Sequence, residues 1–150
     1  MAISIGAVER GTTSRSLVSP DVVALVGRIL LAAIFVMSGL GKIAQPAITI
    51  GYMRAAGLPL APVGLAVAAL IEVGGGLALI LGYRVRVSAT LLALFALATA
   101  TIFHSALADQ NQMIHFFKNM AIAGGLLQVA AFGGGRLSLD ARQARGASHD

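Results

Sequence analysis

Six side chains in an otherwise apolar chain are able to carry chemistry: Arg28, Lys42, Glu72, His104, Lys118 and Asn119. Each lies inside or at the end of a stretch with almost no other charge. An ionisable group there costs on the order of 2.5 to 3.5 kcal/mol to insert into hydrocarbon unless it finds a partner or water. These residues therefore belong to a polar interior, and that interior is where function is expected. Arg28 and Glu72 are expected to form a buried ion pair, bidentate if the geometry allows. The plainer reading is a pair that only fixes helix register, since buried pairs specify more than they stabilise. His104, Lys118 and Lys42 are expected to meet near the outer surface in a small, electropositive, partly dry pocket, with Asn119 beside Lys118. Such a pocket suits an anion or the carbonyl or phenolate oxygen of a quinone head group. Lys42, His104, Lys118 and Asn119 would hold it, and His104 and Lys118 would be the catalytic pair, with His104 moving protons. Plainer roles compete: a helix-end histidine bonded to backbone or water for His104, and snorkelling for Arg28 and Lys118. For Lys42 the plainer role is simply to end a helix. No metal site is expected. A haem held by His104 and His115 across a hairpin lacks a partner to orient either ring.

The elements that must position these groups are four apolar stretches, 22–41, 60–81, 85–108 and 113–132. Each is close to the roughly 20 residues that a helix needs to cross about 30 Å of hydrocarbon. In the first, Arg28, Ala32, Phe35, Gly39 and Lys42 follow one another at spacings of four and three and share one helical stripe. In the second, Gly64, Ala68, Glu72 and Gly76 recur every fourth residue, a spacing of small residues that lets helix backbones approach. Counted at 1.5 Å per residue, Glu72 is ~13 Å and Arg28 ~9 Å from the same end of their spans, an offset that an arginine side chain covers. Thr90, Leu94, Leu97, Thr101 and His104 share a stripe of the third span. The fourth begins with His115, Lys118 and Asn119 and continues Ala121, Gly125 and Gln128 on the Lys118 face. The runs Gly74 to Gly76 and Gly124 to Gly125 lie inside apolar spans without a preceding strand or a following Lys-Ser/Thr, so they serve helix packing and not phosphate binding. The first connection, with Pro46, Gly57, Pro59 and Pro62, has room for a short interfacial helix with Ile48, Tyr52 and Ala55 on its apolar side.

Composition points the same way. Of 150 residues, 57% are hydrophobic and only 11% charged, and the mean hydropathy is +0.87, far from a soluble domain's balance. The expected fold is all-α, an integral membrane four-helix bundle over residues 21–135. A disordered polar tail is expected over 1–20 and another polar tail over 136–150. With no cysteine, disulfides, thiol relays and iron-sulfur ligation are excluded. The net charge of +5 is spread over tails and loops and not gathered on one face, so nucleic acid is not an expected partner. It sets topology instead: Arg10, Arg15, Arg84, Arg86, Arg136, Arg142 and Arg145 flank one side, and the 109–112 connection has no Lys or Arg. By the positive-inside rule both termini are cytoplasmic.

Four separated segments, with a fifth near the end, carry a resemblance to a known family. They are GRILLAAIFVMSGLGK at 27–42, GLP at 57–59, IEVGGGLALILG at 71–82, KNMAIAGGLL at 118–127 and GGGRLSLD at 133–140. In order and spacing these resemble the DoxX family of small four-helix membrane proteins. The resemblance implies a polytopic inner-membrane protein; some members are similar to the small subunit of thiosulfate-quinone oxidoreductase and others are linked to oxidative stress. It places Arg28, Lys42, Glu72, Lys118 and Asn119 at the polar positions of the motifs. The expected function is thus a quinone-interacting subunit of a membrane oxidoreductase complex or oxidative-stress system, with a redox partner supplying electrons. Without cysteine, the chain cannot run thiol chemistry on its own. The alternatives are a non-enzymatic membrane module that anchors or assembles partner proteins and, third, a small-solute transporter, for which no repeat or broken helix is visible. Besides the lipid bilayer, a soluble or membrane redox partner and self-association into homo-oligomers are expected.

Overall fold

The computed structural model describes residues 19–147 and is all-helical, with no strand among the described residues. The expectations for the tail at 1–18, with Arg10 and Arg15, lie outside the described residues. Helix α1 is Pro20–Ala44 and is followed at once by the short α2, Pro46–Ala55. A second rod runs as α3, Ala61–Ala69, a π-helical turn at Leu70–Gly74 and α4, Gly75–Leu81. Helix α5 is Val85–Phe103, α6 is Gln110–Phe132 and α7 is Leu139–Gly146. Proline opens α1, α2 and α3, where a missing N–H costs nothing. Three of these segments, Pro20–Ala44, Ala61–Leu81 and Val85–Phe103, are long and apolar enough to cross a membrane. Helix α6 has the length, but Gln110, Asn111, Gln112, His115, Lys118 and Asn119 make its first half polar.

Helix α5, the third expected span, is shorter than hydropathy suggests. It stops at Phe103, because His104 leaves the helical conformation and the carboxylate of Asp109 caps α6 by accepting the N–H of Gln112 at 2.9 Å. The apolar run to Ala108 is therefore turn, and α6 begins three residues earlier than Met113.

Helices α5 and α6 form an antiparallel hairpin, and α1 lies along the α3–α4 rod. The core between them is built from small and branched residues: Ala32, Leu79, Val85, Ala89, Leu92, Ala93, Ala96, Ala123 and Leu126 are all almost wholly buried. Large apolar side chains point outward instead, Met37, Leu70 and Phe132 being at least three-quarters or nearly so exposed (74%, 74% and 80%). That inverted surface is what a lipid solvent requires. Two glycines set the register of α1 on the second rod. A Cβ at Gly39 would stand 2.7 Å from Val73 Cγ2, and one at Gly76 would stand 2.7 Å from Val36 Cγ2.

One end of this array is closed by hydrogen bonds. Gly82 ends α4 in the left-handed conformation (φ 74°), with the Tyr83 N–H returning to the Ala78 carbonyl at 2.9 Å, a Schellman ending. Arg28 is buried there, and its Nη1 donates to the Leu79 carbonyl at 2.9 Å and the Ile80 carbonyl at 3.3 Å, while Nη2 donates to the Leu137 carbonyl at 2.6 Å. Asp140 accepts the N–H groups of Arg84 and Val85 at 2.7 and 2.8 Å, capping α5, and Asp21 accepts the Arg136 N–H at 2.8 Å. The segment after α6, expected only as a polar tail, thus stitches the ends of α1, α4 and α5 together and then forms α7.

Gly82 tests this closure. A Cβ there would lie 2.5 Å from both Arg28 Nη1 and Ser138 Cβ, in addition to the cost of about 1 kcal/mol or more for a non-glycine residue at positive φ. Gly82→Ala is expected to lower the thermal unfolding midpoint, followed by circular dichroism in detergent, well below that of Gly57→Ala. Gly57 also has positive φ (83°) but faces open space.

Candidate functional site

Register decides which charges meet. With Gly39 against Val73 and Gly76 against Val36, Arg28 falls beside Leu79 and Ile80, about eight residues along the rod from Glu72, or about 12 Å. The expected Arg28–Glu72 pair is therefore not formed. Arg28 instead neutralises the carbonyl end of α4, where orphan C=O groups and the helix dipole favour a cation. The partner of Glu72 is Lys42, one turn beyond Ser38 on the same stripe. Lys42 Nζ lies 2.9 Å from both carboxylate oxygens, its hydrogen bond directed at Oε1, and a second bond at 2.7 Å goes to Ser38 Oγ. Glu72 is almost fully buried, with 5% of its side chain exposed, whereas Lys42 keeps 24%.

Glu72 stands in the π-helical turn. Such a turn inserts one residue into an α-helix and recurs at functional positions. The run Gly74 to Gly76 permits close approach to neighbours at this level: a Cβ at Gly75 would stand 3.1 Å from Leu92 Cδ2, and one at Gly76 would strike Val36.

A second polar group comes from the α5–α6 hairpin. His104 Nδ1 and Gln112 Oε1 are 2.8 Å apart, so Nδ1 carries the proton and Nε2 is left as an acceptor. Lys118 Nζ donates to His115 Nδ1 at 3.0 Å, the opposite tautomer, and Asn119 Nδ2 donates to the His115 carbonyl at 2.9 Å. The two imidazoles stack with centroids 5.0 Å apart and planes at 22°. Their faces confront each other and their nitrogens do not converge, so the pair is not arranged to hold a haem iron between them. Among the described residues no group of three or more His, Cys, Asp or Glu is clustered to bind a metal.

The two polar groups line one cavity of about 390 Å³. Lys42 and Glu72 stand on one wall and His104, His115, Lys118 and Asn119 on another, with Phe35, Phe95, Phe103 and Ile122 between them. Helix α2 covers part of it: Met53 is buried, and the Tyr52 ring stacks on Phe103 at 5.4 Å. Helices α5 and α6 pack closely on each other, whereas α1 and α6 touch only sparingly. Lys42, His104, Lys118 and Asn119 thus share a cavity, whereas Arg28 is at the opposite, closed end. The pairings of His115 with Lys118, of Gln112 with His104 and of Ser38 with Lys42 are not among the sequence expectations. The i+3 spacing of His115 to Lys118 and the i+4 spacing of Ser38 to Lys42 were the available signals.

A helical array with lipid-compatible outer faces and a polar cavity between its rods defines an integral membrane protein. The chain belongs to the DoxX family, whose model matches residues 23–105. It is 42% identical over 120 residues to the inner membrane protein YqjF of Escherichia coli K12, covering 80% of this chain and 91% of that one. It is also 34% identical over 126 residues to the inner membrane protein YphA of the same organism, covering 81% and 90%. The chain is an integral inner-membrane protein. No solved structure matches it at a significant level.

The Lys42–Glu72 pair makes an asymmetric prediction. Removing Lys42 strands a buried carboxylate, while removing Glu72 leaves an ammonium that is able to turn toward water. Lys42→Met is therefore expected to destabilise the protein by about 2 kcal/mol or more, discounted from the fully buried case for its partial exposure, and by more than Glu72→Gln does. The double variant should recover most of the loss, as read by thermal unfolding of all three. Equal losses that simply add would contradict the pairing.

Proposed function

We propose that this chain is a quinone-interacting subunit of a membrane oxidoreductase system, with the cavity between Lys42 and Lys118 as the head-group site. The observation that carries the reading is the chemistry of that cavity: aromatic and aliphatic walls for a flat apolar ring, with ammonium groups at two of its edges. A quinone carbonyl gains negative charge on its oxygen as it is reduced, and the cation of Lys118 stabilises that charge, the charge of Lys42 being already balanced by Glu72. His104, held by Gln112 as the Nδ1–H tautomer, has its Nε2 available to take or return a proton. The chain's side chains carry no electrons, and a partner protein supplies them. In this reading α1, the α3–α4 rod, α5 and α6 all cross the membrane as a four-helix bundle. Both termini are cytoplasmic, in line with the arginines gathered at 84, 86, 136 and 142, and the cavity opens toward the other side.

The experiment is equilibrium binding of a short-chain ubiquinone analogue to the purified protein in nanodiscs. Native protein should bind it saturably, and Lys118→Ala should weaken the affinity about tenfold or more, the usual loss for a hydrogen bond to a charged group. Arg136→Gln, at the opposite end, should leave it unchanged. Absence of saturable binding by the native protein, or an unchanged affinity for folded Lys118→Ala, would remove the proposal.

A further inference from the structure

The closed end of the protein carries a second concavity that the cavity chemistry does not use. It is an open cleft of about 490 Å³ between the start of α5 and the turn that follows α6, lined by Arg84, Arg86, Gly133, Gly134, Gly135 and Asp140 among others. We propose that this cleft binds the phosphodiester head group of an anionic phospholipid, with Arg84 and Arg86 as its charged contacts.

Three observations support this. First, the arginines are free to serve. Among the described residues no carboxylate lies within ion-pair distance of either, the Arg84 guanidinium resting 5.9 Å from the Tyr83 ring centroid. The one carboxylate in the cleft, Asp140, is committed to the backbone N–H groups of Arg84 and Val85. Second, the opposite wall is backbone. Gly133 and Gly135 have φ of 83° and 72°, and the N–H groups of Gly134 and Gly135 donate to no acceptor among the described residues. A Cβ at Gly133 would be 3.8 Å from Arg86 Nε, so the guanidinium and the glycine turn face the same space. Third, the surroundings are apolar. Tyr83, Val87 and Phe132 are exposed beside the cleft, at the ends of membrane-length helices.

Arg84 has a further mark. It is the one non-glycine residue with positive φ among the described residues (43°). This strained backbone carries its side chain at the cleft mouth, a cost that a lysine-free or arginine-free turn could avoid with glycine. A diester oxygen pair matches the planar fork of a guanidinium, and basic pockets between membrane helices bind anionic head groups in this way. The apolar rim favours a lipid over a free phosphate, because acyl chains would lie along Val87 and Phe132 while the phosphate sits in the cleft.

The test is native mass spectrometry of protein released from nanodiscs made of equal phosphatidylglycerol and phosphatidylcholine. The variants are Arg84→Gly with Arg86→Gln, Arg86→Gln alone, and Arg54→Gln as a control in α2 at the other end of α1. Glycine suits the backbone at 84, so the double variant should fold, and the single variant leaves that backbone untouched. Native protein and Arg54→Gln should retain phosphatidylglycerol preferentially. The double variant should lose about tenfold to thirtyfold of that preference, the single variant part of it, and millimolar glycerol 3-phosphate should displace nothing. Equal preference in native and both cleft variants would overturn the proposal. Displacement by glycerol 3-phosphate alone would also overturn it, identifying a soluble phosphate site in its place.

Discussion

The register of α1 against the α3–α4 rod is the constraint on which the remaining structure depends. Two notches, Gly39 under Val73 and Gly76 under Val36, allow the helices to approach at one relative height only. At that height Lys42 reaches Glu72 across the π turn, and Arg28 reaches the carbonyl end of α4. Neither outcome follows from the side chains' charge, since a carboxylate attracts any cation in reach. Backbone packing decides which cation that is.

From this register the protein divides into two ends of different character. At the Arg28 end the helix termini are tied together by hydrogen bonds. The guanidinium takes three carbonyls, Asp140 caps α5, Asp21 holds Arg136, and Gly82 turns where a Cβ would strike Arg28. At the Lys42 end polar groups face a cavity, which the stacked pair His104 and His115 lines together with the Lys42–Glu72 pair. A firmly tied end and a cavity-bearing end on the same rods are what a membrane protein needs to keep a cavity open without losing its fold, because in lipid there is little hydrophobic force to hold helices together.

Much of this was legible in the sequence. The stripe Arg28, Ala32, Phe35, Gly39 turned out to be the buried face of α1, and the four-residue repeat of small residues around Glu72 marked the face of α3 and α4 that meets it. The polar residues at the start of α6 were also recognisable by helical spacing, and the hairpin between the third and fourth spans places His104 near them. What was not legible was the axial height of one rod on another. Counting from span ends assumes that the spans start level and leaves Arg28 and Glu72 about 4 Å apart in height, whereas the Gly39 and Gly76 contacts put them about 12 Å apart. The π turn was hidden for a related reason: it conserves helical composition while adding one residue to a turn. The role of Asp140 and Ser138 after the last long helix depends on contacts more than fifty residues away in the chain, and local pattern does not report such contacts.

The most direct test of this account uses the absence of cysteine in the chain. Two pairs introduced separately, Val36→Cys with Gly76→Cys and Ala32→Cys with Ala68→Cys, distinguish the two registers by oxidative cross-linking in native membranes. The first pair is in contact in the register described here, with a Cβ at 76 only 2.7 Å from Val36 Cγ2. The second would be level only if Arg28 were level with Glu72, and here it is about 12 Å apart along the axis, beyond the reach of a disulfide. Cross-linking of the first pair and not the second is the result expected. Cross-linking of the second and not the first would contradict the register, and with it the placement of Lys42 on Glu72.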